Sequence, residues 1–142
     1  MSPSHSSQRS GRLRSYSRSA LALFFVLAGA NHFRSPEVYI SMIPQWLPAP
    51  VLLNQISGAA EIAGGCGLLF PQVRKHAATG LILLLIAVFP ANLHVAIHGW
   101  DGMEIPRWIL ILRLPFQLLF MAWVAYAADW KPSFSLKRNF GF

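Results

Sequence analysis

The chain has one cysteine and five acidic residues in 142 positions, and each shortage closes a class of function. With Cys66 alone, an intrachain disulfide, a CxxC redox pair and a four-cysteine metal site are excluded by counting, and with them a dithiol oxidoreductase of the four-helix membrane type. Charged residues make up 12% of the chain, against about 25% in an ordinary soluble domain. No HExxH, no nucleophile-histidine-acid triad and no phosphate-binding glycine loop is present. The glycines around Cys66 (Gly64, Gly65, Gly67) read as helix-packing glycines, and Cys66 among them as a small packing residue.

What remains is apolar, with 54% hydrophobic residues and a mean hydropathy of +0.44. A single water-soluble domain of this length would have to bury apolar runs longer than its core helices need, whereas a bilayer accepts them. The formal net charge is +7, but the basic residues gather at the ends and in one turn. They do not line a face interleaved with aromatics, so nucleic acid is not an expected partner. Arg9, Arg12, Arg14 and Arg18 precede the first apolar run, and Lys131, Lys137 and Arg138 follow the last. Such flanks suit anionic lipid, at about 1 kcal/mol for each charge near the surface.

Residues 1–18, rich in Ser and Arg and free of acid, read as a disordered basic tail. Residues 19–130 read as one membrane unit and 131–142 as a second basic tail. Four spans are expected, over 19–33, 51–70, 77–98 and 108–128. The first is short for a span of about 20 residues; with its basic lead and Ala28-Gly29-Ala30 it also fits a secretory signal cleaved after Ala30. The uncleaved helix is favoured, because cleavage would remove the helix on which the others pack. Between the first two spans, "RSPEVYISMIPQWLPAP" carries four prolines and reads as an amphipathic cap on the outer surface. Nine of the twelve basic residues fall on the side of the termini, which makes that side cytoplasmic. Short connections make neighbours antiparallel, so the expected fold is an all-α, up-down-up-down bundle of four transmembrane helices.

Glu61, in "SGAAEIAGGCGLL", is the one carboxylate inside a span. An ionisable group at mid-bilayer costs about 2.5 to 3.5 kcal/mol on insertion scales, so it faces the bundle interior and has a partner or a task. Its neighbours at three and four residues, Ser57, Gly58, Gly64 and Gly65, let another helix come close. Arg113 is the only cation within a span, and the depths of the two residues predict that it pairs with Glu61. Gln117 shares a face with Arg113, and Asn92 adds an amide from the third span. His94 and His98 point the opposite way from Asn92 and suit the interface or the cap. His32, at the end of the first span, completes a polar cluster in the outer half.

In this order, "GANHFRSPEVYISMIPQWLP", "SGAAEIAGGCGLLFP", "FPANLHVAIHG" and "RLPFQLLF" resemble the DoxX family of small four-helix membrane proteins, over about residues 25 to 125. The resemblance implies a bacterial plasma-membrane bundle and carries over His32, Glu61, Asn92, Arg113 and Gln117 as the matching polar positions. It also implies an association with a thiosulfate:quinone oxidoreductase, so an oxidoreductase subunit is an expected partner and a quinone-like molecule an expected ligand. The expected function is that of a redox accessory or binding protein rather than an enzyme by itself. Two other readings stay open. One is a structural or assembly subunit in which Glu61 and Arg113 only set helix register. The other is a haem or metal protein using His94 and His98 at i and i+4, or His32 facing one of them.

Overall fold

The computed structural model describes residues 5–131. The described chain is all-α, with five helices and no strand: α1 His5–Arg34, α2 Pro36–Ile40, α3 Pro50–Leu69, α4 Arg74–His98 and α5 Arg107–Ala127. Prolines set most of the boundaries. Pro36 pushes Ser35 out of the helical region (φ −135°, ψ 63°) and opens α2 at its first position, and Pro50 opens α3 in the same way. Pro71 follows the end of α3, whose last carbonyls, on Leu68 and Leu69, accept hydrogen bonds from the Arg74 guanidinium. Gly99, at φ 90°, caps α4, and Pro106 precedes α5. Pro90 and Pro115 lie inside α4 and α5 without ending them.

Each long helix runs antiparallel to its neighbours, and the contacts close a ring: α1 on α3, α3 on α4, α4 on α5 and α5 on α1. The ring has two packed ends. Leu21, Phe25, Leu68, Ala78, Leu81, Val124 and Ala127 form a core at the end nearer the termini, and Met42, Val95 and Leu110 form a smaller one at the other. Two of the helices, α4 and α5, are long and apolar enough to cross a membrane, and only 17% of each apolar stretch is buried within the molecule. A core helix of a soluble protein would be mostly buried. Here Leu83, Leu118 and Leu119 each expose at least 60% of their surface. In α3, Asn54, Gln55, Ser57 and Glu61 dilute the apolar composition, and in α1 the arginines do.

The first basic segment departs from expectation. The residues read as a disordered tail are helical from His5, because α1 continues through them. Once the apolar part has formed, each further residue adds a hydrogen bond without a new nucleus. Contacts to the end of α5 then hold the extension. Arg14 lies 3.1 Å from Asp129 and 5.2 Å from the centre of the Tyr126 ring, and Arg18 donates to the Ala127 carbonyl at 3.2 Å. Lys131 ends the described chain, so Lys137 and Arg138, with the rest of the expected C-terminal tail, lie outside it. Cys66 also differs from its reading. Gly64, Gly65 and Gly67 take the packed face of α3, and Cys66 is exposed.

Candidate functional site

Between the two packed ends lies a cavity of about 470 Å3 lined from all five helices and the α2–α3 segment. The floor is apolar, with Phe25, Leu85 and Phe120. The other end carries the polar groups His32, Tyr39, Asn54, Glu61, Asn92, Arg113 and Gln117. All five polar positions expected from the sequence therefore reach one cavity, but they are not partnered as expected.

Glu61 does not pair with Arg113. Helices α3 and α5 stand at opposite corners of the ring and make no helix–helix contact, so the two charges face each other across the cavity. The depth comparison used in the sequence reading measured position along the helix axes and carried no information about which helices adjoin. The group beside Glu61 is His32, on the adjoining α1, with Nε2 3.6 Å from Oε2. That carboxylate oxygen is buried and has no hydrogen-bond partner. Close approach of α1 and α3 makes the pairing reachable. A Cβ on Gly58 would sit 2.7 Å from the His32 Cβ and 2.9 Å from the Gly29 carbonyl oxygen.

Asn54, missed in the sequence reading, fixes the imidazole. Its Nδ2 donates to the His32 carbonyl at 3.0 Å, which leaves its Oδ1 to accept from His32 Nδ1 at 2.7 Å. The amide orientation thus places a proton on Nδ1 and turns Nε2 toward Glu61. With Nδ1 protonated, Nε2 accepts in the neutral ring and donates in the imidazolium, and at 3.6 Å it stands near Oε2 without a hydrogen bond. The arrangement can hold or release a proton at the cavity wall. Asn54→Ala is expected to lower stability by about 1 to 3 kcal/mol, the cost of an unsatisfied buried group, read as thermal unfolding in detergent. An unchanged melting temperature would mean that the histidine is held by other contacts. The signal was available: Asn54 precedes Glu61 by two helical turns, on the same face.

Asn92 and Gln117 join α4 to α5. Asn92 Nδ2 donates to Gln117 Oε1 at 2.9 Å, and Gln117 Nε2 donates to the Leu85 carbonyl. Gln117 is thus turned to α4. Arg113 lacks a carboxylate among the described residues. Its guanidinium lies 5.0 Å from the centre of the Trp100 ring, with Nη2 3.9 Å from the Met42 sulfur. These contacts attract a cation without neutralising it.

The segment after α1 closes the polar end. The Tyr39 ring stacks on His32 at 3.7 Å, and its hydroxyl accepts from Asn31 Nδ2. Trp100 Nε1 donates to Ser41 Oγ at 2.9 Å, and Met42 is buried against Val95 and Leu110. His94 and His98 stack on each other at 4.5 Å outside the cavity lining. His32 lines the cavity with Nε2 toward Glu61, and neither His94 nor His98 shares that lining. No group of three metal-ligating side chains occurs among the described residues.

No curated protein and no solved structure matches the chain. The resemblance to the DoxX family is not upheld, because the family model that matches, over residues 21–128, is a different one. The quoted motifs combine small residues with a carboxylate inside apolar runs, a pattern that close helix packing around a buried polar group demands of unrelated bundles too. The association with a thiosulfate:quinone oxidoreductase, which rested on that resemblance, falls with it. The matched stretch runs from the core end of α1 to the cap of α5 and contains every cavity residue, and the chain belongs to its family, Domain of unknown function (DUF8561).

Proposed function

We propose that the protein is a membrane-embedded binding protein whose cavity holds an amphipathic small molecule, of quinone or lipid type, by a hydrogen-bond-accepting head group. The observation that carries this reading is Arg113, a cation lining the cavity with a ring and a sulfur beside it and, among the described residues, no carboxylate within ion-pair distance. An intramembrane guanidinium without a counter-charge is costly to keep, and an acceptor oxygen on a ligand would offset that cost. The apolar floor suits the body of such a molecule, and the volume falls in the range of small-molecule sites, about 300 to 1,000 Å3. His32 and Glu61 stand ready to exchange a proton with a head group that needs one.

In this reading α1, α3, α4 and α5 all cross the bilayer. The exposed apolar faces of α4 and α5 support it directly. Helices α1 and α3 support it through length, since a helix of 20 residues spans about 30 Å. Both termini then lie on the side of Arg9, Arg12, Arg74 and Lys75, which is cytoplasmic by the positive-inside rule. Protein released from its membrane in mild detergent is expected to show, by native mass spectrometry, a mass increment of one amphiphile per chain. Bare protein alone, with no uptake of added decylubiquinone or palmitate, would overturn the proposal.

A further inference from the structure

Resting on the binding role just proposed, we infer that the cavity is filled sideways from the bilayer, through an opening between α1 and α5, and that its ligand is a long-tailed amphiphile whose tail stays in the lipid. The exposure of the wall locates the opening. Four residues line the cavity and are also substantially exposed: Ile109 at 38%, Leu112 at 44%, Phe24 at 46% and Phe116 at 50%. One is on α1 and three are on α5, and all are apolar. The lining residues of α3 and α4 are buried or only partly exposed.

The other routes are closed by contacts. Gly29 against Gly58 joins α1 to α3, Gly64 against Leu81 joins α3 to α4, and Gln117 bonded to Asn92 and Leu85 joins α4 to α5. The core around Phe25 seals one end, and Tyr39 and Met42 seal the other. The polar and aromatic contacts between α1 and α5 lie toward the terminal end, from Arg14 with Asp129 to Phe24 with Phe120. Beyond Phe24 the seam presents apolar side chains to its surroundings. An opening rimmed by phenylalanine and leucine repels ions and suits hydrocarbon. Arg113 is also a lining residue of α5, so a head group that passes the rim meets a donor. About 470 Å3 holds a head group and little more, so a long tail must remain outside, among the acyl chains.

The test uses the full chain in phosphatidylcholine vesicles with two probes carrying a diazirine in the tail, a palmitic acid and a ubiquinone analogue. These distinguish a carboxylate head from a carbonyl head. Photolabel that unlabelled amphiphile competes away is expected on peptides containing Phe24 or Leu112 to Phe116 for at least one probe. Ala28→Trp, which plugs the seam, is expected to slow this labelling on the order of tenfold. Leu112→Trp gives the same test if Ala28→Trp fails to fold, and Leu83→Trp adds equal bulk on an exposed face of α4 and should change nothing. Competable labelling at undiminished rate in both plugged variants overturns the side entry while leaving the binding role standing. Absence of competable label from both probes in the wild type removes the binding role and this inference together.

Discussion

Gly58→Val should prevent α1 and α3 from packing and cost the protein most of its stability. Even a methyl group at this position would lie 2.7 Å from the His32 Cβ and 2.9 Å from the Gly29 carbonyl oxygen, and on Gly29 it would lie 2.6 Å from the Gly58 carbonyl oxygen. The obstacle is backbone on both sides, which cannot rotate away as the end of a long side chain can. Overpacking typically costs about 1 to 3 kcal/mol, more where nothing can give. Separating the two helices also draws His32 away from Asn54 and Glu61, so the loss is expected to exceed that of Asn54→Ala. Gly80→Ala provides the contrast. Nothing lies within 4 Å of a Cβ there, so that substitution should raise stability by about 0.5 to 1 kcal/mol through helix propensity alone. Thermal unfolding of the purified protein in one detergent measures both. Equal melting temperatures for Gly58→Val and the wild type would contradict the close approach of α1 and α3.

Arg113→Met should separate stability from binding. A residue present for the architecture lowers stability when it is removed; a residue present for a ligand need not. Loss of the guanidinium forfeits its contact with the Trp100 ring, worth about 0.5 to 2 kcal/mol, and, if the proposed membrane placement holds, removes a charge that costs about 2.5 to 3.5 kcal/mol to keep there. The melting temperature is therefore expected to stay level or rise. Ligand retention should fall on the order of tenfold to a hundredfold, the worth of one hydrogen bond to a charged group at about 1.5 to 3 kcal/mol. Native mass spectrometry and thermal unfolding on the same preparation read the two quantities. A variant that is less stable and yet retains its amphiphile would assign Arg113 to the architecture.

The helices were legible in the sequence because their punctuation is local. Pro36, Pro50, Pro71 and Pro106 restrict their own backbone and that of the residue before them, so the starts of α2, α3 and α5 and the stop of α3 follow from single residues. The small residues around Glu61 likewise announced a close helix, since a missing side chain is itself the space a neighbour enters. The pairing within the site was less legible. Glu61 and Arg113 are the two charges inside the expected spans and sit at compatible depths, but the ring order that makes α1 the neighbour of α3 is a property of the whole assembly. Asn54 shares a face with Glu61, which marks it as a candidate member of the cluster, but only its bonds with His32 reveal that it orients the ring. The helical start of α1 was hidden for a similar reason, since Arg14 and Arg18 find Asp129 and the Ala127 carbonyl more than a hundred residues away.

The two packed ends, with a cavity between them, also make compressibility a property of the fold. Hydrostatic pressure favours whichever state reduces cavity volume, so the waist is the soft part of the fold, through which α1 and α5 can draw together while Leu21, Leu68 and Val124 hold one end and Val95 and Leu110 the other. An occupant would take up that slack and stiffen the chain along its whole length.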